Sequence, residues 1–276
     1  MPFVCGGYPA PGVLPTLLGR LEAAGASIIE IGFPFSDPIA DGPVIASAMH
    51  EALGRGATAR SVLDEVASVR GSLKVGLVAM VSVSIVHRCG GPSGFSSAAR
   101  QAGIDGLIVP DAPFSESRAL VDAAGEHGLT FSQMISPTTT LARAEEIVKV
   151  CTGFVYLLAR AGITGEQAGM PDIGGRVSRL RQMTPLPIAC GFGISTPAHV
   201  REVVRHADAA IVGSALVTRM RAAMEADADP VAAAAMFTRE LAEGLPGERP
   251  REGLVEVGGP RDGGAIGGGS VGGGLP

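Results

Sequence analysis

The sequence predicts one α/β domain closed as a (β/α)8 TIM barrel. Three observations predict it. Eight short β-branched runs alternate with helical stretches along residues 3–243, and a barrel of this kind takes about 250 residues. The runs are almost continuously apolar and show no clean alternation, as strands covered on both faces do. The units are also evenly spaced, which favours closure over a doubly wound open sheet.

The strands read near 3–6, 27–31, 74–78, 106–109, 130–134, 153–158, 187–190 and 208–212. Helical periodicity runs over 13–24, 61–70, 96–102, 115–127, 141–150, 173–182, 197–206 and 215–225, with a last extra helix over 232–243. Glycines such as Gly25 and Gly128 mark helix stops. The barrel therefore spans 1–244. Residues 245–276 read as a disordered Gly-rich tail, because 258–274 is mostly glycine with almost nothing apolar to bury.

Composition narrows the function. Hydrophobic residues make up 46% of the 276, enough for a large core. A net charge of -5 and a pI near 5.6 argue against nucleic acid or an anionic membrane as partner. No apolar run approaches the roughly 20 residues that cross a bilayer, and no signal peptide is seen. Cys5, Cys89, Cys151 and Cys190 show no paired spacing, and Cys5, Cys151 and Cys190 read as reduced core thiols. The expectation is a cytoplasmic protein.

Barrel enzymes carry their chemistry at the C-terminal ends of the strands and on the loops that follow. Glu30 stands there, inside the apolar run Ile28-Ile29-Glu30-Ile31. Burying an ionised carboxylate is costly unless it is paired. Glu30 is thus either an acid–base group or a structural glutamate paired with an arginine such as Arg160. Asp41 follows on a loop rich in Pro and Gly, and two carboxylates in different surroundings can divide acid and base work. Asp37 reads equally as an Asx-turn residue before Pro38. Asp111, between Pro110 and Pro113, reads equally as a loop-shaping residue. Tyr156 and Arg160 close the sixth strand, ahead of Thr164 and Gly165.

Gly193 after the seventh strand and Gly213-Ser214 after the eighth stand where barrels bind phosphate. Glycine lets the anion reach the main chain, and a helix N-terminus offers free N–H groups and a positive dipole end. Ordinary helix-entry turns are the plainer reading of the same glycines. Lys74 enters the third strand at the wrong end of the barrel and Lys149 closes a helix, so no lysine suits Schiff-base chemistry. The histidines lie on helices or, for His87, alone on a loop, so no metal cluster is expected. Carboxylate chemistry on a small phosphorylated molecule remains.

The run from Glu30 to Pro38, continued by Ala40-Asp41-Gly42-Pro43, resembles the signature of the tryptophan synthase α-subunit family. So do Pro110-Asp111-Ala112-Pro113, the run Tyr156 to Gly165, Gly191-Phe192-Gly193-Ile194-Ser195 and Gly213-Ser214-Ala215, in the family's order. The likeness covers residues 3–243. It implies a lyase that splits indole-3-glycerol phosphate into indole and glyceraldehyde 3-phosphate. Indole then passes to a pyridoxal-phosphate β subunit in an α2β2 complex, and the α chain holds no cofactor.

The resemblance assigns acid–base catalysis to Glu30 and Asp41 and an active-site place to Tyr156. It assigns phosphate binding to Gly165, Phe192, Gly193, Gly213 and Ser214, and a mobile, supporting loop to Arg160 and Thr164. Asp37, Asp111 and Pro113 fall on the face toward the β partner.

Two departures stand out. Met1 lies almost on the first strand, where the family usually has a helix covering the barrel floor. The stretch Met80 to Val86 replaces the family's aromatic Asn-Pro loop, which weakens the case for tight coupling to β. A stand-alone lyase releasing free indole, a non-catalytic barrel that activates β, and an unrelated phosphate-binding isomerase are the competing readings.

Overall fold

The computed structural model describes residues 1–38, 41–159, 173–191 and 193–246. Strands β1 (Phe3–Cys5), β2 (Ile28–Gly32), β3 (Gly76–Met80), β4 (Gly106–Ile108) and β5 (Thr130–Ser132) form one parallel sheet in chain order. Strands β6 (Met134–Ile135), β7 (Val155–Leu158), β8 (Ile188–Gly191) and β9 (Ala209–Ile211) form a second, also parallel.

Two seams join them into a barrel. At the first, Pro2 bridges Val212, with Phe3 N–H donating to the Val212 carbonyl at 2.8 Å. The second is a single residue, Gln133. Its N–H donates to Cys151 Sγ at 3.3 Å instead of to a neighbouring strand, while its carbonyl accepts from Tyr156 N–H at 3.1 Å. β5 and β6 are therefore one run broken at Gln133, and the expected eight strands are present.

Helices α1 (Leu14–Ala23), α2 (Pro43–Gly54), α3 (Ala59–Arg70), α4 (Val83–Arg88), α5 (Gly91–Ala102), α6 (Phe114–Glu126), α7 (Leu141–Val150), α8 (Gly174–Met183), α9 (Pro197–Val204), α10 (Ser214–Glu225) and α11 (Pro230–Ala242) alternate with the strands. Most bury one apolar stripe, as α1 buries Leu14, Leu17, Leu18 and Leu21, whereas the short α4 buries Val86 alone. The glycine stops hold: Gly25 and Gly128 take φ of 99° and 69°, which side chains resist.

Several expectations need correction. α2 has no counterpart among the helices expected from the sequence, which places Asp41 on a Pro- and Gly-rich loop and names no element over 43–54. Pro43 in fact opens it, because a missing N–H costs nothing in a first turn, and Ile45, Ala48, Met49 and Ala52 give it an apolar face. The stretch after β3 is not a loop but α4, started by Ser82, whose Oγ accepts from Ser84 N–H at 3.2 Å. His87 accordingly lies on α4, with Nε2 3.4 Å from Glu116. β3 itself lies two residues later than expected, which leaves Lys74 before the strand.

Among the described residues no helix is long and apolar enough to cross a membrane. The four cysteines are free, and three of them are buried. The barrel elements all fall within Met1–Leu245, and the proposed tail lies outside the described residues beyond Pro246.

Candidate active site

Glu30 occupies the centre of β2, opposite Phe3 of β1 and Val78 of β3. It is fully buried, and neither carboxylate oxygen has a hydrogen-bond partner among the described residues. Burial, reinforced by nearby Asp41 and opposed by the Met1 amine, pushes its carboxyl from 4.5 up to about 8. Glu30 is thus a protonated carboxylic acid near neutral pH. Of the two readings left open by the sequence, a salt-bridged glutamate finds no counterpart among the described residues, and Arg160 lies outside them.

Asp41 follows β2 on the loop into α2, its N–H donating to the Pro38 carbonyl at 3.2 Å. Burial raises its carboxyl to about 6. Glu30, Asp41 and Tyr156 line one cavity. The Tyr156 hydroxyl is driven well above 10, first by burial and then by the two carboxyls, so it serves as a hydrogen-bond donor. Its ring packs closely against Gly191: a Cβ there would come within 2.6 Å of the phenol oxygen.

The same cavity reaches Gly193, Gly213 and Ser214. Gly193 holds a φ of 32°, a left-handed value suited to glycine. Gly213 precedes α10, which starts with no side-chain cap, and Ser214 and Ala215 of its first turn line the cavity at the positive end of the helix dipole. A Cβ on Gly213 would meet Ile45 of α2 at 3.2 Å, so α2 packs tightly against this corner. Gly165, Phe192 and Thr164, expected at the phosphate or on the mobile loop, lie outside the described residues.

Sequence reasoning missed the apolar walls: Phe3, Ile45, Met80, Met134 and Leu158 also line the cavity. The signal was available, since residues at the ends of barrel strands line the mouth, but apolar side chains carry no chemical mark.

The three residues expected to face a partner stand at the rim. Asp37 is exposed and accepts from Ser36 Oγ at 2.7 Å. Asp111 does local work: it accepts from Ser82 Oγ at 2.6 Å and from Val83 N–H at 2.9 Å, binding the start of α4. Pro113 precedes α6 as its cap residue. Among the described residues no group of three His, Cys, Asp or Glu side chains is placed to hold a metal.

A closed (β/α)8 barrel with two carboxyls of raised pKa in one mouth cavity, facing a glycine-flanked helix start, defines an acid–base enzyme acting on a small molecule. The family model for the tryptophan synthase alpha chain matches residues 1–246, and the chain belongs to that family, the lyases of tryptophan biosynthesis. It is 39% identical over 248 residues to the tryptophan synthase alpha chain of Picosynechococcus sp., covering 89% of this chain and 92% of the relative. To that of Caulobacter sp. it is 40% identical over 245 residues, covering 88% and 89%. Among solved structures it resembles tryptophan synthase subunit alpha from Legionella pneumophila, with TM-score 0.81, 31% identity, and 88% and 90% covered. A Mycobacterium tuberculosis tryptophan synthase structure matches at TM-score 0.79 and 31% identity, with 88% and 90% covered.

Proposed function

We propose that this cavity cleaves indole-3-glycerol phosphate to indole and glyceraldehyde 3-phosphate by carboxylate acid–base catalysis. The observation that carries this reading is the pair of carboxyls, Glu30 near 8 and Asp41 near 6, in one cavity. Between those values one is an acid and the other a base.

The bond from indole C3 to the glycerol carbon breaks only if the ring can take up its electrons. Neutral Glu30 donates a proton to C3. The Asp41 carboxylate accepts a hydrogen bond from the ring N–H and stabilises the positive charge that develops there. The Glu30 carboxylate so formed removes the proton of the adjacent glycerol hydroxyl. As that C–O becomes a carbonyl, the C–C electrons return to the ring, indole regains aromaticity and Glu30 is protonated again. A group that gives and takes a proton in one cycle works best with a pKa near the working pH, which burial supplies.

Tyr156 donates a hydrogen bond within the site. Gly193, Gly213 and Ser214, with Gly165 and Phe192, hold the phosphate by main-chain N–H groups, and binding energy from that remote end orients the ring. Arg160 and Thr164 support a loop over the substrate. The α chain needs no cofactor. Asp37, Asp111 and Pro113 meet a β subunit, which carries pyridoxal phosphate and receives indole in an α2β2 complex in the cytoplasm.

The test is indole release from indole-3-glycerol phosphate by the purified chain. Glu30→Gln keeps the shape and removes the transferable proton, so kcat is expected to fall at least ~100-fold with substrate affinity retained. A Glu30→Gln enzyme of normal rate would overturn the assignment.

A further inference from the structure

A second, smaller cavity adjoins the site. Its volume is about 30 Å³, against the ~10–15 Å³ that one water molecule needs. Phe33, Met49 and Val81 help to line it. Three residues line both cavities and so form the partition between them: Asp41, Met80 and Pro110.

Two of the three cannot yield. Pro110 is a rigid ring, and Asp41 is committed to the ring N–H. Met80 can. Its backbone is pinned at the end of β3: its carbonyl accepts from Phe33 N–H at 2.9 Å, and it pairs with Gly32 on one side and Ile108 on the other. The residue is 8% exposed, and its side chain has three rotatable bonds ending in a soft thioether. Gly32 contributes no side chain to hold it.

The strand order places Met80 at the aromatic end of the substrate. With β5 and β6 counted as one strand of eight, β3 stands opposite β8 and β4 opposite β9. Gly193 and Gly213 follow β8 and β9. Met80 and Pro110 therefore face the phosphate corner across the barrel mouth, where the ring of a bound indole-3-glycerol phosphate ends.

We infer that Met80 is the specificity-determining residue of the aromatic subsite: it sets how large a substituent the indole ring can carry. Trimming Met80 joins the second cavity to the site along the ring's edge. Filling it closes that space. The inference rests on the proposed substrate.

The experiment compares indole-3-glycerol phosphates bearing one methyl on each of the four benzenoid ring carbons with the unsubstituted compound. The readout is the ratio of kcat/KM, methylated over unsubstituted. Met80→Ala is expected to raise that ratio roughly tenfold for at least one position, the range for one methyl group in an apolar pocket. Met80→Phe is expected to lower it. Met80→Leu, of similar volume, is expected to hold it within about twofold.

A ratio unmoved at all four positions in Met80→Ala, with the unsubstituted substrate still cleaved, overturns the inference and leaves the proposed function intact. If Met80→Ala does not fold, Met80→Phe decides: a lowered ratio supports the inference and an unchanged one overturns it. A parent enzyme that fails to cleave the unsubstituted compound removes the proposed function, and this inference with it.

Discussion

Glu30 combines two facts that ordinarily exclude each other, a carboxyl and complete burial without a partner among the described residues. The molecule resolves them by keeping the proton on. The consequence is a stability that depends on pH with a definite sign. In the unfolded chain Glu30 ionises near 4.5, in the folded one near 8. Between those values the folded state holds the extra proton, so the contribution of Glu30 to stability falls as pH rises through this window and levels off above it, while the buried Met1 amine, lowered from 8.0 to about 6, contributes a slope of the opposite sign between those two values. Glu30→Gln removes the falling slope. The variant is expected to be more stable at pH 7 by about 3 kcal/mol, from ~1.4 kcal/mol per unit of pKa difference. Chemical denaturation at a series of pH values would measure it, and a variant with the parent's pH slope would contradict the assignment of the buried proton to Glu30. A site that sacrifices stability for reactivity is what a catalytic carboxyl requires, and a structural one does not.

At the scale of elements, α4 shows how a departure in sequence becomes a built feature. Met80 to Val86 carries no aromatic Asn-Pro pattern, yet Ser82 and Asp111 together give the first turn of α4 its missing acceptors. Asp111 comes from the loop after β4, so it also ties two rim loops together. Asp111→Ala is expected to cost about 1 kcal/mol, as lost helix caps do, and to raise amide hydrogen exchange at Val83 and Ser84. Asp111→Asn keeps an acceptor for Val83 N–H and is expected to recover part of that loss. Exchange at those two amides identical to the parent's would mean that α4 is held by its packing alone.

For the whole molecule, the outward face of this rim is where coupling to a partner would act. Asp37 and Asp111 are both exposed there, and the cavity beneath them adjoins the site. Titrating a cognate β subunit is expected to raise the rate of indole formation roughly tenfold, within the usual 1–3 kcal/mol of coupling between sites. A rate indifferent to saturating β would favour the stand-alone lyase. A chain that releases no indole but activates β would favour the non-catalytic barrel.

The amino-acid sequence by itself determined the barrel, the order of its strands and the residue types of the site. Apolar runs, helical periodicity and glycine stops are local signals, and Glu30 stood out because a carboxyl among isoleucines conflicts with its surroundings. It did not reveal α2 or α4, since Pro43 and Ser82 look like loop residues until a buried face or an Asp111 from another loop completes the helix. Only the tertiary structure decided that Glu30 is unpaired among the described residues and shares a cavity with Asp41. It alone placed Met80 between two cavities, because burial, pKa and shared walls are properties of neighbours brought together by chain closure across the barrel.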